Sequence, residues 1–319
     1  MTSTVAYWQA RAAALGRELD ADGRVMLVGG YVSAPFNPPD GLLQRYADRI
    51  LWPPISEATQ CGFAIGAAMA GLRPFVPIGT SSFMFYAWPQ IANEAPNVRY
   101  LSGGLVTAPV VFHVMAGSRR SSGAQHEHTP QAMLQNVPGL RIFAPATPAD
   151  VDGLVSAALR GDDPVLLVDH VLLADATGDV PDEPDARIGR ADLLRRGSDV
   201  LIVAYSLMVQ RALAAAASLE ASGIGASVLN LRTLAPLPIA DVLGAVRNHP
   251  ATLFVDEARG PGSTASYLMA RVLEEAPSTV ARLVCSHEAP SPFAEALLDE
   301  IVPTTERIAS VAASLARGK

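Results

Sequence analysis

Apolar runs of strand length, each parted from the next by a stretch of helix length, recur from one end of this chain to the other. In the first half they are VMLVG (25–29), FVPIG (75–79), PVVFHV (109–114), LRIFA (140–144) and PVLLVD (164–169). Between them the spacing predicts helices near 4–19, 57–71, 83–94, 130–136 and 148–160. The runs are apolar along nearly their whole length, where a half-exposed strand would alternate. Such strands have both faces buried, as in a parallel sheet covered on each side by helices. A polar stretch rich in Asp, Pro and Gly follows (172–199), and then the alternation resumes. The later runs are VLIVAYS (200–206), ASVLNL (226–231), TLFVDE (252–257) and ARLVC (281–285), with helices near 207–222, 239–248, 263–275 and 304–317. The fold class read from this pattern is α/β, as two three-layer domains with mainly parallel sheets. The expected boundaries are 1–180 and 199–319, with a linker over 181–198 that holds a short strand or two. No internal repeat relates the two halves.

Composition narrows the function. A chain of 319 residues has room for two such domains. Half of its residues are hydrophobic and 17% are charged, enough for large cores and too little polarity for long disordered tails. The net charge of −7, with no basic stripe, argues against a nucleic-acid partner. Cys61 and Cys285 are far apart and outside any metal-ligand spacing, which points to a reducing compartment without a disulfide framework. The opening residues lack a basic stretch followed by an apolar core, and no uninterrupted apolar run is long enough for a membrane span. The chain is therefore read as cytoplasmic, with no membrane partner.

One stretch stands apart: PPISEATQCGFAIGAAMAGLRP, residues 53–74. Between Glu57 and Arg73 it carries no charge. Ser56 is placed to cap a helix, and Glu57 then meets the positive end of the helix dipole. That alone explains most glutamates at helix starts. Here the helix behind it is too apolar to lie at a surface. Gly62, Gly66 and Ala70 recur every fourth residue, a strip that lets another backbone come close. A carboxylate at the end of a helix buried against a neighbour is partly desolvated and becomes a candidate proton donor. The pattern by itself leaves the structural and functional readings of Glu57 level.

The chain resembles the β subunits of the thiamine-diphosphate-dependent decarboxylating component of 2-oxoacid dehydrogenase complexes, of the pyruvate or branched-chain type. The residues that carry the resemblance are PISE with its Gly/Ala helix ending in AMAGLRP, then SGG, APVVF, AQH, PGLRIFAPATPAD and ALRGDDPVLLVD. In the second half DVLIVAYSLMVQRALAAAASLEASGIGASVLNLRTLAPLP is similar to the transketolase C-terminal domain. The order of motifs is kept from about residue 5 to the end. The resemblance implies a transketolase-like pyrimidine-binding domain followed by a transketolase C-terminal-like domain.

It also implies roles. Glu57 matches the glutamate that hydrogen-bonds a ring nitrogen of the cofactor's aminopyrimidine, and so promotes loss of the thiazolium proton. Phe83, in TSSFMFYAWPQ, matches the aromatic residue that stacks on the pyrimidine; Phe85, Tyr86 and Trp88 are read as core or interface. His126, in SSGAQHEHTPQAML, matches a histidine near the reacting end of the cofactor, suited to moving a proton or positioning substrate or acyl acceptor. His113, His170, His249 and His287 are given structural readings. Val110, Ala158, Leu159, Gly161 and Asp163 match a segment that binds a structural potassium ion through backbone carbonyls. The magnesium–diphosphate motif of the family is missing, so magnesium and diphosphate are expected on a separate α chain. The implied assembly has two α and two β chains, with a lipoyl-bearing acyltransferase as a further partner and a 2-oxo acid as substrate.

The sequence departs from the family at several places. Gly30 and Tyr31 stand where acidic residues are usual. Arg119 and Arg120 enter a loop that is small and neutral in relatives. His126 is followed by Glu127 and His128, where Ser-Gln is common. These changes put the lipoyl acceptor in question, and motivate an alternative: a split thiamine-diphosphate transferase of biosynthetic metabolism, forming acyloins with a non-lipoyl acceptor. A scaffold without chemistry is a third reading, against which the retained Glu57, Phe83 and His126 speak.

Overall fold

The computed structural model describes residues 3–29, 42–118 and 122–318. The chain divides into two compact units, one of residues 1–116 with 134–188, the other of residues 117–133 with 189–319.

In the first unit the strands are β1 (Ser3–Ala6), β2 (Val25–Val28), β3 (Ile50–Leu51), β4 (Arg73–Thr80), β5 (Val111–Ala116), β6 (Arg141–Phe143), β7 (Val165–His170) and β8 (Thr177–Val180). Its helices are α1 (Tyr7–Ala21), the single turn α2 (Leu42–Arg45), α3 (Glu57–Met69), α4 (Ala95–Leu101) and α6 (Pro148–Arg160); the one-turn α5 (Gln131–Leu134) precedes α6 in the chain and has three of its four residues in the second unit. The main sheet runs β6-β7-β5-β4-β2-β3, parallel at every pairing. All of β5 and β7, and β4 beyond its first residue, are buried, so helices cover both faces as the apolar runs require. Pro77 and Gly79 interrupt β4, and the register against β5 shifts between them, the usual place for Pro and Gly in a strand.

Two expected helices take another form. The run near 4–19 opens as β1, which pairs antiparallel with β8, and becomes helical only at Tyr7. A partner more than 170 residues away wins over local helix preference. The helix expected near 83–94 is a 3₁₀ segment over Ser81–Ala87, a π-helical stretch over Pro89–Glu94 and then α4. Pro89 and Pro96 each sit at the start of a segment, where a missing N–H costs least.

One buried cluster ties α1 to the sheet. Asp169, fully inaccessible on β7, accepts hydrogen bonds from the Tyr7 hydroxyl (2.5 Å) and Arg11 Nη1 (2.5 Å) and pairs with His113 Nε2 (2.9 Å). Burial alone would raise its pKa. The Arg11 charge and the bonds from His113 and Tyr7 outweigh burial and hold the carboxyl well below its ordinary range. The outer faces of α1 and α6 are joined by Arg160 on Glu18 (2.7 Å) and by Arg17 on Asp152.

The second unit carries β9 (Asp192–Arg195), β10 (Val200–Ala204), β11 (Ala226–Asn230), β12 (Thr233–Ala235), β13 (Ala251–Arg259) and β14 (Val280–Ser286). Its helices are α7 (Leu207–Glu220), α8 (Ile239–Val246), α9 (Thr264–Glu275), α10 (Glu295–Ile301) and α11 (Thr305–Ala316). Five strands form a sheet in the order β14-β13-β10-β11-β9, parallel except for the edge strand β9. The polar stretch over 172–199 thus supplies β8 to the first unit, and its part expected as a linker supplies β9 to the second. Among the described residues no helix is long and apolar enough to cross a membrane, and Cys61 and Cys285 are free and buried.

Asp169→Asn, which removes the buried charge that faces Arg11, is expected to cost about 3 kcal/mol or more in urea unfolding at pH 7. Because the folded carboxyl titrates below the unfolded value of 3.8, its contribution is fully present above that pH. It is lost as the pH falls from there through the lower folded value. The variant should accordingly lack that part of the wild-type acid limb.

Candidate active site

Glu57 is the first residue of α3. Ser56 caps the helix, its hydroxyl accepting from the Thr59 amide and contacting the Thr59 hydroxyl at 2.9 Å. Gln60, Cys61, Ala64, Ile65 and Ala68 face the core. Gly62, Phe63, Gly66, Met69 and Ala70 face outward and are exposed in this chain. The helix expected to be buried is therefore buried on one side only. Phe63 and Met69 are each 48% exposed, and a Cβ built on Gly66 meets nothing within 4 Å. Just ahead of the helix, Trp52 and Ile55 are exposed as well.

The Glu57 carboxylate is half-buried and makes no hydrogen bond or ion pair with any described residue. One turn on, the Cys61 thiol is pushed up to about 12 by burial and, next, by the Glu57 charge, so it stays protonated and inert. The Ser81–Ala87 segment packs on α3 and carries Phe83, also half-buried. Glu57 and Phe83 thus belong to one packed pair of elements. The rings of Phe85 and Trp88 meet in a tilted arrangement with centroids 6.0 Å apart, and Tyr86 is 72% exposed.

His126 lies in the second unit, on the loop between β5 and α5. Its amide donates to the Gly123 carbonyl (3.1 Å). Glu127, considered above as part of an altered acceptor site, is 3% exposed and accepts from the Ser122 amide (3.1 Å). It braces the loop from inside. His128 is half-buried, and burial, then the charges of Arg259 and His126, lower its pKa. Gly30, Tyr31, Arg119 and Arg120 lie outside the described residues.

The carbonyl set expected for potassium gathers at the C-terminal end of α6 and the start of β5, and three of its oxygens, those of Val110, Leu159 and Gly161, already have donors. Arg73 Nη1 donates to Leu159 O (3.0 Å) and to Gly161 O. Val110 O accepts from the Val165 amide at 2.9 Å. The Asp163 carboxylate is paired with Arg141 (2.7 Å) and Arg99 (2.9 Å). The guanidinium of Arg73 puts a positive charge against two of the carbonyls a potassium ion would need, so the arrangement does not fit that ion. Among the described residues no cluster of His, Cys, Asp or Glu could hold a metal.

Residues 3–174 match the family model for the transketolase pyrimidine-binding domain, and residues 189–308 match that for the transketolase C-terminal domain. The chain belongs to the transketolase family. Within it, this transketolase-type chain is 37% identical over 302 residues to the β subunit of an acetoin:2,6-dichlorophenolindophenol oxidoreductase from Cupriavidus necator, covering 93% of this chain and 88% of that one. It is 35% identical over 312 residues to the mitochondrial pyruvate dehydrogenase E1 β subunit of Pisum sativum, covering 94% and 87%. A solved split-gene transketolase, described as an inactive β4 tetramer, superposes with a TM-score of 0.80 over 98% of both chains at 24% identity. That likeness establishes the fold.

The transketolase-type chain should melt at the same temperature in potassium and sodium buffers, within about one degree. Arg73→Met, which strips the donors from Leu159 O and Gly161 O, should lose about 1–3 kcal/mol and several degrees of melting temperature in both.

Proposed function

We propose that this chain is the β subunit of a thiamine-diphosphate-dependent 2-oxoacid dehydrogenase, active with an α subunit. The observation that carries the reading is the Glu57 carboxylate. It stands without a partner among the described residues at the head of an apolar helix, in a chain at least 35% identical to two β subunits along more than nine-tenths of its length. An unpaired carboxylate beside apolar surface is costly unless a ligand completes it.

When bound, the cofactor supplies the electron sink for cleaving the bond next to the donor's carbonyl. Glu57 holds a proton at a ring nitrogen of the aminopyrimidine. Phe83 offers its aromatic face to that ring. His126 serves proton transfer and places the acyl acceptor. Magnesium and the diphosphate belong to the α chain, and potassium is left out of the proposal because Arg73 already occupies its carbonyls. The exposed strip of α3 is the surface offered to the α chain in a two-α two-β assembly. The acyl group then passes to a lipoyl-bearing acyltransferase. The buried free cysteines agree with a reducing compartment, and we place the protein in the cytoplasm.

The named relatives favour this dehydrogenase reading over a biosynthetic transferase. A second reading follows from one of them, whose name gives acetoin as donor and a dye as acceptor. Here the chain would serve cleavage of an acyloin. Dye reduction by the reconstituted enzyme, with a 2-oxo acid or acetoin as sole donor, separates the two.

Glu57→Gln in the assembled enzyme should lower kcat by about 10² or more; unchanged turnover would leave only the scaffold reading. Gly66→Leu should leave the isolated chain folded, gaining up to about 1 kcal/mol of helix stability. It should also weaken association with the α chain at least about tenfold, as read by ultracentrifugation. Equal affinity would remove α3 from the interface.

A further inference from the structure

The loop that carries His126 lies within the span of the pyrimidine-binding match, yet it packs as part of the C-terminal unit. Its attachments fall on both sides of the histidine. Before it, Gly123 adopts φ +70°, and a Cβ there would lie 2.5 Å from Cζ of Phe293. The tip of the Phe293 ring therefore occupies the space over Gly123, whose carbonyl receives the His126 amide. Immediately after it, the Glu127 carbonyl accepts from the Ser291 hydroxyl (3.4 Å). Five residues on, Gln131 Nε2 donates to the Tyr205 hydroxyl (2.9 Å), which donates to Asp256 Oδ1 (2.5 Å). Asp256 also accepts the amides of Ala258 and Ala265, so this end of the loop is tied to β13 and the start of α9.

The segment that supplies Ser291 and Phe293 is itself anchored. Arg259, at the end of β13, holds the Ala289 carbonyl through Nε (3.0 Å) and Nη2 (2.6 Å), and the His287 amide donates to Ile301 O (2.9 Å). Phe293 is nonetheless 71% exposed. An aromatic ring left open to water while its tip seals a glycine gives little to the core. Its place is explained by what it touches.

We propose that the C-terminal unit is the platform that positions His126, with Phe293 as the clasp on Gly123 and the Tyr205–Asp256 couple as the anchor on Gln131. All three are positioning residues that act through the loop. The inference rests on the reading above that His126 serves acyl transfer, but its structural half stands apart from that reading.

The test compares wild type, Phe293→Ala, Phe293→Tyr and Tyr205→Phe. Hydrogen exchange is followed on the full chain and turnover on the α-reconstituted enzyme. In Phe293→Ala, amides of 122–128 should exchange about tenfold faster or more, with β10 and β13 unchanged. Acyl-transfer kcat should fall about tenfold or more, with KM for the 2-oxo acid and cofactor affinity within about twofold of wild type. Phe293→Tyr should restore both, and Tyr205→Phe should loosen 126–131 instead. Unchanged exchange at 122–128 in Phe293→Ala would overturn the proposal. So would faster exchange throughout the unit, or cofactor affinity lost in step with kcat. A wild-type enzyme inert toward every 2-oxo acid and acetoin would count against the functional reading alone; the exchange data would then decide the platform.

Discussion

A carboxylate with no access to water organises the first unit. Asp169 lies one residue before the end of β7, and its two oxygens are met by Tyr7, Arg11 and His113. Leaving such a charge unpaired would cost several kcal/mol, so α1 and β5 must come to β7 in one register. With α1 fixed, its outer face meets α6 through Arg160 and Arg17, and its leading residues are delivered to β8. The central strands β4, β5 and β7 are then closed to water on both faces. That leaves α3, which follows β3 and leads into β4, with a core side of Gln60, Cys61, Ala64, Ile65 and Ala68 and a side left exposed among the described residues.

The uncovered side of α3 and the Glu57 carboxylate belong to the same helix, and this is the main physical argument about function. Gly62, Gly66 and Ala70 offer almost no side chain, while Phe63 and Met69 offer apolar surface. A helix built this way completes itself against a second protein surface. Under the proposed function, the same contact draws the carboxylate at its head out of water, and the site is shared between subunits because one helix has two unlike faces.

His126 is held by other means. Its loop has one turn of helix behind it and no strand of its own. Order comes from Ser291 and Phe293, before α10, which meet the loop's backbone, and from Tyr205, just after β10 and backed by Asp256 of β13, which meets its buried Gln131. Loops place functional groups only as well as their supports are rigid. Here the supports sit on the sheet of the C-terminal unit.

Much of this was legible in the residues. Runs such as PVVFHV and PVLLVD are apolar nearly throughout, so they had to be doubly covered strands, and the parallel sheets followed. Ser56-Glu57 before an uncharged Gly/Ala helix marked the helix start and its carboxylate. The four-residue spacing of Gly62, Gly66 and Ala70 marked a strip of small residues on one face, which the structure leaves exposed. Those features are local, set by periodicity, capping and side-chain size. What the sequence left open was decided by contacts between residues far apart. Residues 4–6 look helical and become a strand because β8 offers unpaired backbone. Arg73 lies in a strand, yet it fills the carbonyls at the end of α6, where a cation was expected. Phe293 and Tyr205 carry no motif, and only the folded chain sets them against Gly123 and Gln131. Periodicity reports which face of an element is buried. It carries no record of which distant group will meet that face, because that choice is made by the packing of the whole unit.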